Sequence, residues 1–162
     1  MGKNLKPEPF VRLDVKGGDL TYGQRIELGG ILANAESLTE HELFLATIRC
    51  LYGREPIRSE YRSAIPLFKD AVEGTMFWIK VESEQLKYTP SQEEKDAGVE
   101  KYAKEVGEIG TAYAIAKEFS KDPDEILAWK YGKVFGYLRK QKADGDFQRR
   151  YNDVINRKHK TK

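Results

Sequence analysis

The sequence predicts a mainly α protein: a helical domain of about five to seven helices, opened by a short N-terminal β element. Three observations predict it. Four segments carry helix-start signatures. The apolar residues that follow them recur in steps of three and four. One stretch alone, Phe10–Val15, alternates with period two.

Taken in order, residues 1–9 read as a disordered lead, with Pro7 and Pro9 and no apolar run. In Phe10–Val15 the residues Val11, Leu13 and Val15 fall on one side and Arg12 and Asp14 on the other, and Gly17-Gly18 stops the strand. A lone strand needs a partner, either the Met76–Val81 run or a strand of a second copy. Thr21-Tyr22-Gly23-Gln24 is a capping box, in which the Thr hydroxyl and the Gln side chain satisfy backbone N–H groups reciprocally. Ile26, Leu28, Ile31 and Leu32 follow it. Thr39-Glu40-His41-Glu42 is a second box, followed by Leu43, Phe44, Ile48 and Leu51 and stopped by Gly53. Residues 65–86 form the next helix, with Gly74 as its expected break.

Thr89-Pro90-Ser91-Gln92 reads as a third box, with Pro in the first helical position. It opens a long segment in which Tyr102, Val106, Ile109, Tyr113, Ala116 and Phe119 keep helical spacing. Asp122-Pro123-Asp124-Glu125 repeats the start signature, and short helices follow around Ile126, around Val134–Leu138 and around Phe147–Ile155. The reading therefore divides the chain into the lead, a helical domain over 10–156 and a basic flexible tail over 157–162.

Composition narrows the function classes. In the 162 residues, 40% are hydrophobic and 33% charged, too apolar for disorder throughout and too charged for a membrane protein. A chain of this length buries roughly 70% of its unfolded surface, enough for a core without staples. Cys50 is the single cysteine, which excludes an internal disulfide and a cysteine zinc cluster. The simplest setting is cytoplasmic, with no membrane partner. Arg139–Lys162 holds nine Lys/Arg against three Asp, while the residues before it are net acidic by four charges.

Catalysis needs a nucleophile, base or metal with groups to position it. The two histidines do not supply this: His41 sits in the first turn of a capped helix and His159 in the basic tail. The glycines form no phosphate loop, and carboxylates near helix starts are accounted for by the helix dipole. The sequence is read as that of a non-enzyme, with no cofactor and no metal. The aromatics are more suggestive. Trp129, Tyr131, Phe135, Tyr137, Phe147 and Tyr151 cluster with basic residues, either as packing of short helices or as a binding surface. A helix-turn-helix outline over Ala114–Leu127 raises nucleic acid as a competing partner, although Asp122, Asp124 and Glu125 would face phosphates with the wrong sign.

The runs Ala114-Ile115-Ala116-Lys117-Glu118-Phe119, Asp122-Pro123-Asp124-Glu125-Ile126-Leu127-Ala128-Trp129 and Tyr131-Gly132-Lys133-Val134-Phe135-Gly136-Tyr137-Leu138 resemble the C-terminal part of tail assembly chaperones of tailed phages and prophages. Leu20-Thr21-Tyr22-Gly23-Gln24-Arg25-Ile26-Glu27-Leu28 is similar to the way such proteins open. The resemblance covers about half the chain and leaves 53–88 aside. It implies a protein of the bacterial host cytoplasm that binds the long, helical tape-measure protein during tail assembly. A small DNA- or RNA-binding protein and a structural virion adaptor or connector are the alternatives. The expected partner surface comprises Tyr102, Ile109, Tyr113, Trp129, Tyr131, Phe135 and Tyr137, and a homo-oligomer is compatible with the unpaired strand and amphipathic helix.

Overall fold

The structure, a computed structural model, describes residues 9–160. The lead expected over 1–9 thus lies outside the described residues except for Pro9, as does the end of the chain after Lys160. The architecture is mainly helical, as the spacing predicts. It comprises α1 (Tyr22–Ala33), α2 (Glu40–Tyr52), α3 (Tyr61–Gln85), α4 (Gln92–Asp96), α5 (Val99–Val106), α6 (Ile109–Phe119), α7 (Pro123–Leu127) and α8 (Tyr131–Lys160).

The first two boxes form as read. Thr21 Oγ1 accepts from the Gln24 N–H at 3.2 Å while Gln24 Oε1 accepts from the Thr21 N–H at 3.0 Å. Thr39 and Glu42 repeat the exchange at the start of α2, and Gly53 ends that helix at φ 69°. The third box is displaced by two residues. Ser91, not Thr89, is the N-cap, paired with Glu94, which leaves Pro90 just outside the helix. At α7 Asp122 caps with Pro123 in the first position.

The expected N-terminal β element is absent: no strand occurs among the described residues, and the one bridge joins Thr21 to Lys130. The reason is that its expected partner, Met76–Val81, belongs to α3, where its backbone groups bond within the helix. Residues 10–15 instead lie across α3 through side chains. Arg12 Nε pairs with Asp70 at 2.8 Å, and Trp78 Nε1 donates to the Val15 carbonyl at 2.8 Å. Gly74 is no break. A Cβ there would stand 2.3 Å from Val15 Cγ1, so the glycine is a notch that lets the N-terminal segment reach the helix.

Trp78 is the hub of the main core. Tyr131 and Phe135 meet it edge-on, each with ring centroids 5.0 Å away, and Leu20, Leu28, Ile115, Ile126 and Val134 close around them. Two backbone bonds, Tyr22 N–H to the Trp129 carbonyl at 2.8 Å and Tyr131 N–H to the Leu20 carbonyl at 2.6 Å, tie the starts of α1 and α8 together. Gly18, at φ 86°, permits this approach, because a Cβ would lie 2.8 Å from the Gly132 backbone. A second cluster joins α2 and α3 through Phe44, Ile48 and Ala64. The two short helices expected after Val134 are one helix, α8, which also runs through 157–160, where the sequence reading places a flexible tail.

Candidate functional site

The long segment expected after the third box is three helices. Gly98 (φ 82°) separates α4 from α5, and Gly107 (φ 59°) separates α5 from α6. Both glycines adopt backbone that other residues rarely enter. Neither α4 nor α5 has a buried residue. Yet α5 is amphipathic: Val99, Tyr102 and Val106 keep one side, and Glu100, Lys101, Lys104 and Glu105 occupy the rest. The stripe continues on α6 with Ile109 and Tyr113. Tyr102, Ile109 and Tyr113 are 65%, 52% and 60% exposed, while Ala112, Ile115 and Ala116 of α6 enter the core. The five residues keep steps of three, four, three and four, an apolar seam in sequence register that the turn at Gly107 divides; Val99 and Val106 are half-buried and the other three exposed.

The other four expected surface residues part company here. Tyr131 is 2% exposed and Phe135 7%, both against Trp78, so these two belong to the core and cannot line a surface in this fold. Helix packing is the correct account of both, because α8 is anchored by its first two turns. Trp129 and Tyr137 are half-buried and flank Phe119, each with ring centroids 5.5 Å from it. Lys133 Nζ lies 3.4 Å from the Trp129 ring centroid, and the Tyr137 hydroxyl donates to the Glu118 carboxylate. Burial and that carboxylate push the Tyr137 phenol up to about 12.

Two features have no counterpart in the sequence reading. On α3 the exposed residues Ile65, Met76 and Ile79, with half-buried Val72, form a second outward stripe beside the face that holds Ala64, Ala71 and Trp78. A signal for it exists, since α3 has more apolar residues than one core-facing stripe requires. The other is a buried polar cluster. Arg25 is 3% exposed and grips Glu82 with two hydrogen bonds, Nε to Oε1 at 2.9 Å and Nη2 to Oε2 at 2.5 Å. The Tyr131 hydroxyl donates to the same Glu82 Oε1 at 2.6 Å, and the guanidinium stands 5.7 Å from the Tyr131 ring centroid. Burial, then the Glu82 carboxylate, pushes the Tyr131 phenol upward. The Tyr22 hydroxyl donates to the Glu108 carbonyl at 3.0 Å beside a cleft of about 140 Å³. No isolated residue spacing announces this cluster, because its members come from α1, α3, α8 and the α5–α6 joint. Its groups answer one another and clamp those elements together.

Among the described residues no group of three or more His, Cys, Asp and Glu could hold a metal ion, and no helix is long and apolar enough to cross a membrane. Cys50 is half-buried, and burial pushes its thiol up to about 12. His41 stands in the first turn of α2, its ring stacked on Tyr61 with centroids 6.1 Å apart. In the helix-turn-helix outline the second helix, α7, is five residues long and turns Ile126 into the core. Compared with protein-family models, with curated proteins and with solved structures, the chain matches none.

Proposed function

We propose that this chain is a non-catalytic protein-binding module, and that its partner is a long helical protein of the tape-measure kind, as for a phage tail assembly chaperone. The observation that carries the reading is the seam Val99–Tyr102–Val106–Ile109–Tyr113. An amphipathic helix normally turns its apolar face to its own core. Here α5 keeps the spacing, yet none of its residues is fully buried and Tyr102 stands 65% exposed. An apolar stripe at helical spacing is what a groove or coil contact with another amphipathic helix uses. Tyr at two of the five positions supplies large area with a hydroxyl that tolerates water when no partner is bound.

The test is co-expression with a long helical partner of the tape-measure kind, reading how much of that partner stays in solution. The full chain is expected to keep it soluble through a high-salt wash, and the triple variant Tyr102→Ser, Ile109→Ser, Tyr113→Ser to lose that effect while staying folded. Equal performance by the triple variant would reject the seam. A second reading, nucleic-acid binding, is favoured by the last part of α8: from Arg139 to Lys160 it has eight Lys/Arg against three Asp. Binding of that kind falls steeply with salt, whereas apolar docking does not. A stoichiometric place in purified particles would favour a virion adaptor instead.

A further inference from the structure

The sequence and the backbone disagree at one place. From Val99 to Phe119 the apolar register runs through without a skip, as if one helix were intended, yet the chain bends at Gly107–Glu108. Gly107 has φ 59° and ψ −164°, a region that is essentially glycine-only. The bend also lays Val106 on Gly110, where a Cβ would fall 1.8 Å from Val106 Cγ1. Two glycines three residues apart are therefore both required by the bent form, and neither is required by a straight one. A residue in the middle of a straight helix needs no positive φ, and side chains four apart on it stand side by side without overlap.

We infer that Gly107–Glu108 is a two-state hinge, and that the α5–α6 segment also forms one straight helix over residues 99–119 that presents the apolar seam without interruption. The bent form is held by the Tyr22 hydroxyl and the Thr111 N–H, both donating to the Glu108 carbonyl, at 3.0 and 3.1 Å. Straightening gives these up and replaces the two tight turns, Gly110 N–H to Gly107 carbonyl and Thr111 N–H to Glu108 carbonyl, with regular bonds four residues back. It uncovers little core, because no residue of α5 is fully buried and only Val99 and Val106 are partly covered, while α6 stays anchored through Ala112, Ile115 and Ala116. Slack is available as well: the chain from Leu86 to Gly98, with only the single short turn of α4, can span about 30 Å with the rest extended. The inference concerns conformations of the chain itself and stands whether or not a partner uses the seam.

Spin labels placed by Glu100→Cys and Lys117→Cys, both exposed positions, in a Cys50→Ala background read the two states directly. Seventeen residues of straight helix put the labelled backbones about 25 Å apart. Gly107→Ala is expected to move the population toward that distance by about tenfold or more, since Ala is penalised in the bent backbone and favoured in a helix. Gly110→Ala, which clashes with Val106 only in the bend, is expected to move it the same way, with a rise in far-ultraviolet helix signal in both. If both variants keep the wild-type distance, or lose helix in 99–106 instead of joining it to α6, the hinge is refuted. Loss of partner binding with the distances shifted as expected would refute the binding reading and leave the hinge standing.

Discussion

Helices α3 and α5 both carry apolar residues at helical spacing, and the fold treats them in opposite ways. Along α3, Ala64, Ala71, Gly74, Thr75 and Trp78 disappear into the core, and a second stripe is left outside. Along α5 no residue of the stripe is fully buried, and Tyr102 in its middle is 65% exposed. The difference is one of length and neighbours. The 25 residues of α3 span about 37 Å, so it reaches α1, α2 and the N-terminal segment at once. The eight residues of α5 stand between two positive-φ glycines and touch mainly α4. Amphipathic spacing shows that a face wants cover. It does not show whether the chain itself supplies the cover.

The contrast can be broken most sharply at Trp78. Trp78→Ala removes the ring on which Tyr131 and Phe135 close and the donor to the Val15 carbonyl, and should cost about 4 kcal/mol in urea unfolding. A loss below about 1 kcal/mol would mean that α3 is not the organising helix. Next comes Glu82→Gln, which strands the Arg25 guanidinium in a buried site and should cost about 3 kcal/mol by the same measurement. Arg25→Met together with Glu82→Leu should recover most of that, since the penalty comes from the unpaired charge rather than the lost pair.

A smaller effect has the opposite sign. The Thr75 hydroxyl is fully buried and has no hydrogen-bond partner among the described residues, so Thr75→Val is expected to stabilise by about 1 kcal/mol. A loss of similar size would show that the hydroxyl is satisfied in solution. The pH dependence sharpens the picture of α2. The Cys50 thiol, raised by burial from an ordinary 9.0 to about 12, keeps its proton in the folded chain while the unfolded chain releases it. Its contribution to stability is therefore complete below about pH 9 and is lost as pH climbs toward 12. The stability difference between the wild type and Cys50→Ala should shrink over that window, and a flat difference would contradict the burial. The least costly change lies on α5: Tyr102→Ser should alter stability by no more than about 0.5 kcal/mol, because the ring covers no core residue. A larger loss would place α5 inside the cooperative fold and end the contrast with α3.

Much of the fold is legible in local chemistry. Thr21–Gln24 and Thr39–Glu42 state two helix starts through hydrogen bonds that span three residues. The third start is ambiguous in the sequence because Thr89 and Ser91 both head plausible boxes, and only the pairing of Glu94 with Ser91 chooses between them. The alternation in Phe10–Val15 puts Val11, Leu13 and Val15 on one side, but only Val15 is buried and Leu13 half-buried, while Val11 is 69% exposed and Phe10 packs inward instead. It does not identify what covers that side, and the helical Met76–Val81 run cannot serve as a strand partner. For the candidate site, spacing marks the seam residues Tyr102, Ile109 and Tyr113, but Tyr131 and Phe135 carry the same aromatic signature and sit in the core.

Sequence by itself determined the helical class, the starts of α1, α2 and α7, the end of α2, and the register of the apolar stripes, because caps and periodicity act over three or four residues. Only the tertiary structure decided which stripe is covered. It also brought Arg25, Glu82 and Tyr131 together and set the bend at Gly107. Those outcomes depend on groups separated by 49 to 57 residues, or on the space left between elements, and no local signal carries that information.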